Sequence, residues 1–396
     1  MASLGRMLAV CMLLPILLSG CWSSQEIEDL ALYAGLALDK EMEDKTEREM
    51  EARGAKYPKT KKITATLQIV PIRTVGNTSE KQGPPQMPYT NISGTGDSIL
   101  EIFRQFTIRL DQPIIGHHLK VIVISAELLK EQAIENVTDF LLRDNDIRPS
   151  TMVFVSQGPA KHTLMSRKTN NVPSFHIMGM LRNRTRTSKV LAPVTLNNLD
   201  SLIYTKKSFA LQNIASVEDE VEFSGAGIIK GNTGHWIGTL DQTDTQCLAW
   251  LKNEGSAGVI KEYVPDKGVI TYEIKEMKSK ISADVSGGAL SFNVKVATEG
   301  RIIEIWQNTP GEDFPLGMEE TTQVVEDRID QMMQTFIHKL QKTYKADVAG
   351  FGDRLAIQHP AEWKKVKNDW DEVFSRSKIN FTYEVNITDY GSFAED

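Results

Sequence analysis

The sequence predicts an α+β protein of more than one domain, with a mixed α/β first half and a C-terminal antiparallel sheet packed with a long helix. A strand–helix–strand order runs through residues 119–155 and is typical of locally parallel pairing. Strands with clear alternation fill 257–306, and the apolar positions of 319–348 recur at helical spacing, as in an amphipathic helix. The 396 residues, 41% hydrophobic and 24% charged, are sufficient for two or three globular domains.

The first twenty-one residues have the three-part pattern of a secretory signal. Arg6 precedes an apolar run, Met7–Leu18, which is shorter than the about 20 residues that a spanning helix needs. Leu18-Ser19-Gly20-Cys21 resembles a bacterial lipobox, so we expect cleavage between Gly20 and Cys21 and attachment of S-diacylglycerol and N-acyl groups to Cys21. The alternative is a plain cleaved signal with an incidental cysteine. The short apolar run, the leucine three residues before Cys21 and the adjoining Gly20 favour lipidation.

Charge and cysteine content limit the possible partners. A net charge of -7 without a basic block containing aromatic residues argues against nucleic acid. Three cysteines cannot form a disulfide framework. Signal removal takes away Arg6 and Cys11 and leaves a charge of about −8, which predicts no attraction to an anionic membrane surface. The lipid alone is then expected to hold the chain there. Cys247 is predicted to be a buried structural thiol.

Composition shifts divide the chain into five predicted segments. They are a lipoprotein signal peptide (1–20), an N-terminal α/β domain (21–200) with a charged insertion near 40–62, a middle region or small domain (201–255), a C-terminal α+β domain (256–390) and a tail (391–396). The insertion has both charge signs, which is typical of a solvated loop or extended hairpin.

The first half is predicted to alternate strands with helices. Its expected elements are strands at 30–38 and 63–70, a loop at 72–96, a helix capped by Asp97 or Ser98, a buried strand at 119–125, a helix through 128–141 and a strand at 151–155. The strands are identified by apolar or alternating runs and the loop by its Pro, Gly and Asn content.

The second half begins with a predicted hairpin. Its expected elements are strands at 223–230 and 235–239 joined by a turn at 231–234, a helix containing 248–251, the strands of 257–306, the long helix of 319–348 ended by Gly350, a last helix opened by Pro360, and a final strand at 379–387. Trp363, Val366, Trp370 and Phe374 would form one apolar stripe on that last helix.

No catalytic or metal constellation emerges from the residue pattern. The seven histidines (117, 118, 162, 176, 235, 338 and 359) do not occur at a metal-binding spacing. Adjacent His117 and His118 are expected to be surface or structural residues. The GxGxxxG pattern of Gly225, Gly227 and Gly231 is interpreted as hairpin strand and turn, because no helix begins there. An enzyme, a cofactor and a metal are therefore all disfavoured.

Several acidic and methionine residues could be taken for site residues. Acids at helical spacing usually form solvated faces, and paired methionines usually fill a core. Both groups are assigned these ordinary roles: Asp241, Asp244, Glu254, Glu326 and Asp330, and Met332 with Met333.

Four stretches together resemble the Ger(x)C lipoproteins of endospore-forming bacteria. They are Gly20–Ala31 with Gly35; His118–Ile124 continuing to Phe140–Arg143 and Arg148; Phe223–Lys230 with Ile237–Leu240 and Trp250-Leu251; and Ala346–Leu355 with Pro360, Trp363 and Asn368–Trp370. The last stretch is the most specific, since its Gly, Phe and Trp spacing is not a generic helical pattern. The chain departs from the family at Ser24-Gln25, in the insertion at 40–62 and after Tyr390.

The resemblance implies a function that composition does not. Family members are three-domain α+β lipoproteins on the outer face of the spore inner membrane. They are C subunits of nutrient germinant receptors, act with an A subunit and a polytopic B subunit, and have no attributed catalytic activity. Gly350, Gly352 and Trp370 would be architectural, and only Cys21 would have a chemical role. The alternatives are a lipid-anchored extracytoplasmic protein that binds a small solute and, less favoured, an anchored hydrolase.

Overall fold

The computed structural model describes residues 30–42, 45–55, 63–70, 87–165, 171–218, 220–265, 267–287, 289–307 and 317–389. Gly20, Cys21 and the predicted signal peptide and tail lie outside the described residues, as does part of the charged insertion. Two sheets organise the chain, and each forms a lobe with the helices that pack on it. Among the described residues, no helix combines the length and apolar character required to cross a bilayer.

The N-terminal lobe is built on a mixed sheet. Its strands are β1 (Ala31–Lys40), β2 (Ile63–Val70), β3 (Thr90–Gly96), β4 (Ile114–Ile115), β5 (Val121–Ser125), β6 (Met152–Ser156), β7 (Val194–Thr195), β8 (Phe209–Val217), β9 (Glu220–Ile229) and β10 (Trp236–Leu240). The spatial order is β10-β9-β8-β6-β5-β1-β2-β3, with β4 beside β1 and β7 beside β6. The β1, β5 and β6 strands run parallel, which confirms the predicted parallel pairing.

Helices cover both faces of this sheet. They are α1 (Lys45–Ala52), α2 (Ile99–Phe106), α3 (Ala126–Glu131), α4 (Ile134–Arg143), α5 (Ala160–Thr163), α6 (Pro173–Met180) and α7 (Leu196–Thr205), with 3₁₀ turns at Gly116–His118 and Leu181–Arg186. One apolar cluster contains Ile122 and Ile124 and the other contains Val121 and Val123. Because successive side chains of β5 point to opposite faces, a strand covered on both sides is apolar throughout.

Three predictions for the first half are wrong. The charged insertion at 40–62, predicted to be a solvated loop or extended hairpin, contains the helix α1. The predicted loop at 72–96 contains β3, whose Gly, Ser and Thr residues resemble a loop but allow α2 to pack closely. A Cβ on Gly94 would lie 2.8 Å from the Phe106 ring. The predicted helix at 128–141 is divided into α3 and α4, because the amide of Ile134 donates to the carbonyl of Gly234 (2.8 Å) in the β9–β10 turn.

The C-terminal lobe is built on a four-stranded sheet of β11 (Gly258–Val264), β12 (Gly268–Ser286), β13 (Ala289–Gln307) and β14 (Lys378–Ile387). The predicted antiparallel pairing is confirmed for β11, β12 and β13. The last strand differs, because β14 runs parallel to β13. A parallel neighbour needs a crossover connection, and the helices between β13 and β14 lie on that connection.

The remaining helices are α8 (Gln242–Leu251), α9 (Met318–His338), α10 (Phe351–Gln358), α11 (Pro360–Val366) and α12 (Trp370–Arg376), with a π turn at Lys339–Tyr344 and a 3₁₀ turn at Lys367–Asp369. The long helix is confirmed, but it ends at Lys345, which is left-handed (φ 46°), and not at Gly350. Pro360 opens a helix as predicted. The predicted last helix is divided into α11 and α12 by the 3₁₀ turn.

Helix α8 belongs to both lobes. Every residue from Asp244 to Leu251 is buried, and one continuous apolar cluster contains Trp250, Ile228 of β9 and Phe292 of β13. Strands β8–β10 extend the first sheet, so residues 209–251 connect the two lobes. The boundaries between the five predicted segments stay a prediction.

Candidate functional site

A large concavity lies where the lobes meet. It has a volume of about 850 Å³. Residues 204–210, Lys230 and Asn232 contribute one wall, while residues 345–353 and 363–372 contribute to the other. Both walls have charged side chains, and we call this region the lobe junction.

Ion pairs cross the lobe junction, and one of them is partly buried. The ammonium of Lys230 on the N-terminal side lies 2.8 Å from the Asp371 carboxylate of α12, and both side chains are mostly shielded from water. Lys230 also donates to the carbonyl of Lys345, and Lys207 pairs with Asp353 of α10. The Ser208 hydroxyl donates to Asp371 (3.4 Å). Each of these contacts links one lobe to the other.

A second charged group fixes the start of α8. The amide of Asp244 donates to the Asp241 carboxylate (2.8 Å), and the amide of Asp241 donates to that of Asp244 (3.2 Å), which is a capping box. The Lys339 ammonium of the π turn lies 3.1 Å and 2.6 Å from the two carboxylates. It therefore connects the end of the long helix to the start of the shared helix.

The pKa values of these groups reflect two opposing effects. Burial raises the pKa of Asp244 against the influence of Lys339. Burial also acts on Asp241, but the Asp244 amide and Lys339 outweigh it and lower the pKa of Asp241. Burial lowers the pKa of Lys339, but its hydrogen bonds to both carboxylates outweigh this effect and raise the pKa. The ammonium is thus held in its charged form.

The carboxylate of Asp347 explains the most specific stretch of the sequence. It accepts hydrogen bonds from the amides of residues 349–352, at 2.7–3.2 Å, and from the Trp370 indole at 2.9 Å. Gly350 takes φ 89° to permit this turn, and a Cβ on Gly352 would lie 2.7 Å from the indole nitrogen. Burial raises the pKa of Asp347, and the N–H donors act in the opposite direction. The side chain caps α10 and ties it to α12.

The structure gives several other singled-out residues a structural position. Cys247 is fully buried, burial raises the pKa of its thiol, and the predicted structural thiol is confirmed. Gly225 and Gly227 lie in β9 as predicted, where a Cβ would meet the Leu240 carbonyl and the Trp236 ring. Met332 and Met333 are buried in the core, as predicted.

One acidic residue differs from its prediction, because Asp244 is buried and does not lie on a solvated helix face. Two other acidic residues have polar partners. Asp330 accepts the hydroxyl of Tyr383 (2.8 Å), and Glu254 pairs with Lys252 (2.7 Å). His117 and His118 lie in a 3₁₀ turn, not on a strand, and burial lowers the pKa of His118. Within the described ranges, no three His, Cys, Asp or Glu residues are grouped as a metal site would require.

Sequence reasoning missed Lys230, Asp347 and Asp371. An aspartate four residues before a helix and three before a glycine, as at Asp347, is a capping signal that could have been recognised. The partners of Lys230 and Asp371 come from opposite lobes and have no local signal in the sequence.

The fold and the junction define a class of protein: a two-lobed α+β chain whose lobes share a buried helix and exchange ion pairs. Residues 23–216 match the family described as spore germination protein N-terminal domain. Residues 224–391 match the family described as spore germination B3/GerAC like, C-terminal.

Individual relatives over nearly the whole chain are also spore germination proteins. Spore germination protein YndF of Bacillus subtilis (strain 168) is 36% identical over 98% of this chain and 97% of the relative. Spore germination protein B3 of the same organism is 27% identical over 95% of each chain. A crystal structure of the GerBC protein has the same fold, with a TM-score of 0.59 at 22% identity over 84% of this chain and 94% of that one. The chain therefore belongs to the GerAC-like family of spore germination proteins.

Proposed function

We propose that this chain is a lipid-anchored subunit of a nutrient germinant receptor, held at the outer face of the spore inner membrane and acting through contacts with A and B subunits. The observation that carries the proposal is the 36% identity with a spore germination protein over 98% of the chain. Similarity over this length includes both lobes and the segment that joins them.

Lipid anchoring at Cys21 is the physical basis of the proposed assembly. Two acyl groups on one residue give stable membrane attachment, because each buried methylene contributes about 0.8 kcal/mol. Confinement to the bilayer raises the effective concentration of the chain near membrane subunits. The lobes then need only modest contact energy to remain in the receptor.

The lobe junction supports a role in protein contacts. Two domains that meet through a small polar interface usually move relative to each other. Here the lobes share α8 and one apolar cluster, which favours a single body presenting a fixed surface. The alternative of a small-solute-binding protein receives less support, since its usual form has two similar lobes around a hinge.

Replacement of the lipidated residue tests the anchor. Cys21→Ala is expected to leave the folded lobes intact, release the chain from the membrane fraction and weaken the nutrient response of spores. Membrane fractionation measures the release of the chain. The matched control is Cys247→Ala, which retains Cys21. Full membrane retention of Cys21→Ala together with normal germination would contradict the proposal.

A further inference from the structure

The charge of this chain is unevenly distributed. Although 52 of its 396 residues are acidic, neither Asp nor Glu occurs between Asp146 and Asp200. The cations of this stretch in the described part of the chain include Lys161, Arg182, Arg184, Arg186 and Lys189. An acidic protein thus contains a long segment whose net charge is positive.

This segment contributes a layer over β1. Helices α5 and α6 pack on one face of the first sheet, with Leu164 and Ile177 inward. A Cβ on Gly35 of β1 would lie 2.9 Å from Leu164 and 3.2 Å from Ser174, so the layer rests closely on that strand. The outer side of this layer faces away from the first sheet.

The outer side of the layer exposes apolar groups. Phe175 is 46% exposed and Met165 is 40% exposed. A shallow groove of about 460 Å³ is lined by Val172, Phe175, Met180 and Asn183, among others. In a 3₁₀ turn, residues three apart lie on the same side, so Arg186 flanks the groove together with Asn183.

The same segment has three further exposed cations. Arg184 is directed inward, where its guanidinium donates to the carbonyl of Glu254 (3.0 Å). Arg182, Arg186 and Lys189 are exposed, and no carboxylate of the described residues forms an ion pair with them. We call Phe175, Arg182, Arg186 and Lys189 the basic face.

We propose that the basic face lies on the anionic lipid surface of the membrane and orients the anchored chain. Exposed aromatic and basic side chains on a segment without acids are typical of elements that bind in the interfacial region of a bilayer. Electrostatic attraction acts over a Debye length of about 8–10 Å. The local charge of this face therefore decides the interaction, and the net charge of the whole chain does not. The proposal thus differs from the expectation that the lipid alone holds the chain.

The proposed anchor can reach this orientation. Leu30 is the ninth residue after Cys21, and a fully extended segment of this length spans about 30 Å. Strand β1 begins at Ala31, and the layer that contains α6 packs on it at Gly35. The layer whose outer side has the basic face therefore covers the first strand after the tether. The orientation rests on the proposed anchoring at Cys21, but the affinity of the face for lipid does not.

Vesicle cosedimentation of residues 21–396 carrying Cys21→Ser tests the affinity without the lipid, and this chain retains every described residue. The probes are vesicles of phosphatidylcholine alone and of phosphatidylcholine with phosphatidylglycerol, at about 0.1 M and 0.5 M salt. We expect binding to the anionic vesicles, loss at high salt, and a decrease on the order of 10- to 100-fold for Arg182→Gln/Arg186→Gln/Lys189→Gln, because each cation near the surface contributes. Phe175→Ser should also weaken binding.

Matched variants distinguish the face from general charge. Lys364→Gln/Lys365→Gln/Lys367→Gln removes the same charge from α11 and the adjoining turn, and Ile357→Ser removes an apolar side chain that is 71% exposed. Both should bind as the parent does. Equal binding to neutral and anionic vesicles, or equal loss in the controls, overturns the proposal. Unchanged vesicle binding of the triple arginine and lysine variant, with loss of a receptor subunit from its complex, assigns the face to an acidic protein and also overturns it. None of these results depends on Cys21.

Discussion

The two sheets bury their side chains differently. All five residues of β5 in the first sheet are buried, because α-helical layers cover both of its faces. Strand β13 of the second sheet alternates, with Phe292, Val294 and Val296 buried and Trp306 68% exposed near its end. Its outer face has no layer of helices among the described residues. We therefore expect the first sheet, the inner face of the second sheet and the helix that joins them to contribute most to the free energy of unfolding.

The largest effect is expected at the shared helix. Trp250→Ala removes a fully buried side chain from the cluster between the lobes and should lower the free energy of unfolding by about 3–5 kcal/mol. Urea unfolding followed by far-ultraviolet circular dichroism measures the change. Because both lobes pack on α8, the transition should remain single and shift as a whole. Two separate transitions, with one at the parent midpoint, would show that the lobes are independent.

The next effect concerns the cap that ties α10 to α12. Asp347→Ala leaves four amides and one indole N–H without their acceptor and should lower the free energy of unfolding by about 3 kcal/mol. Asp347→Asn keeps the oxygen that accepts hydrogen bonds from three amides, but it places an NH₂ group against the other two donors. Its loss of stability should therefore be intermediate.

Thermal unfolding of the two Asp347 variants gives the order of their stabilities, with Asp200→Asn on the exposed side of α7 as the control. An Asp347→Ala variant as stable as Asp200→Asn would show that the hydrogen bonds of Asp347 do not contribute.

The smallest effect is expected on the outer face of the second sheet. Trp306→Ser should change the free energy of unfolding by no more than about 0.5 kcal/mol, whereas Phe292→Ala on the inner face of the same strand should lower it by about 3–5 kcal/mol. Comparison of the two urea midpoints measures the difference. A large loss for Trp306→Ser would mean that this face is covered and that the two sheets are buried alike.

The same contrast explains which strands could be predicted. Strands with an apolar run or a clean alternation, such as β2, β5 and β14, have a local signal, and the structure confirms them. Strand β3 is composed of small polar residues because α2 packs against it, so its composition resembles a loop. The break between α3 and α4 depends on a hydrogen bond to Gly234, about a hundred residues away in sequence, and no local pattern reports it.

The residues of the candidate site also differ in whether the sequence could predict their positions. Cys247 and the glycines of β9 were predictable, since burial and hairpin geometry follow from their neighbours. The pairs of Lys230 with Asp371 and of Lys207 with Asp353 join distant segments, and exposed-looking charges give no sign of such partners. The lipidation of Cys21 stays a prediction that depends on the lipobox pattern and not on the fold.

The most direct test of the proposed receptor role is dipicolinate release from spores that lack this chain. The spores are challenged with nutrient mixtures and, as a control, with a receptor-independent trigger. We expect loss of at least one nutrient response, an intact control response, and restoration by the full chain but not by Cys21→Ala. Retention of every nutrient response, in spores lacking related receptors as well, would contradict the account and favour a solute-binding lipoprotein.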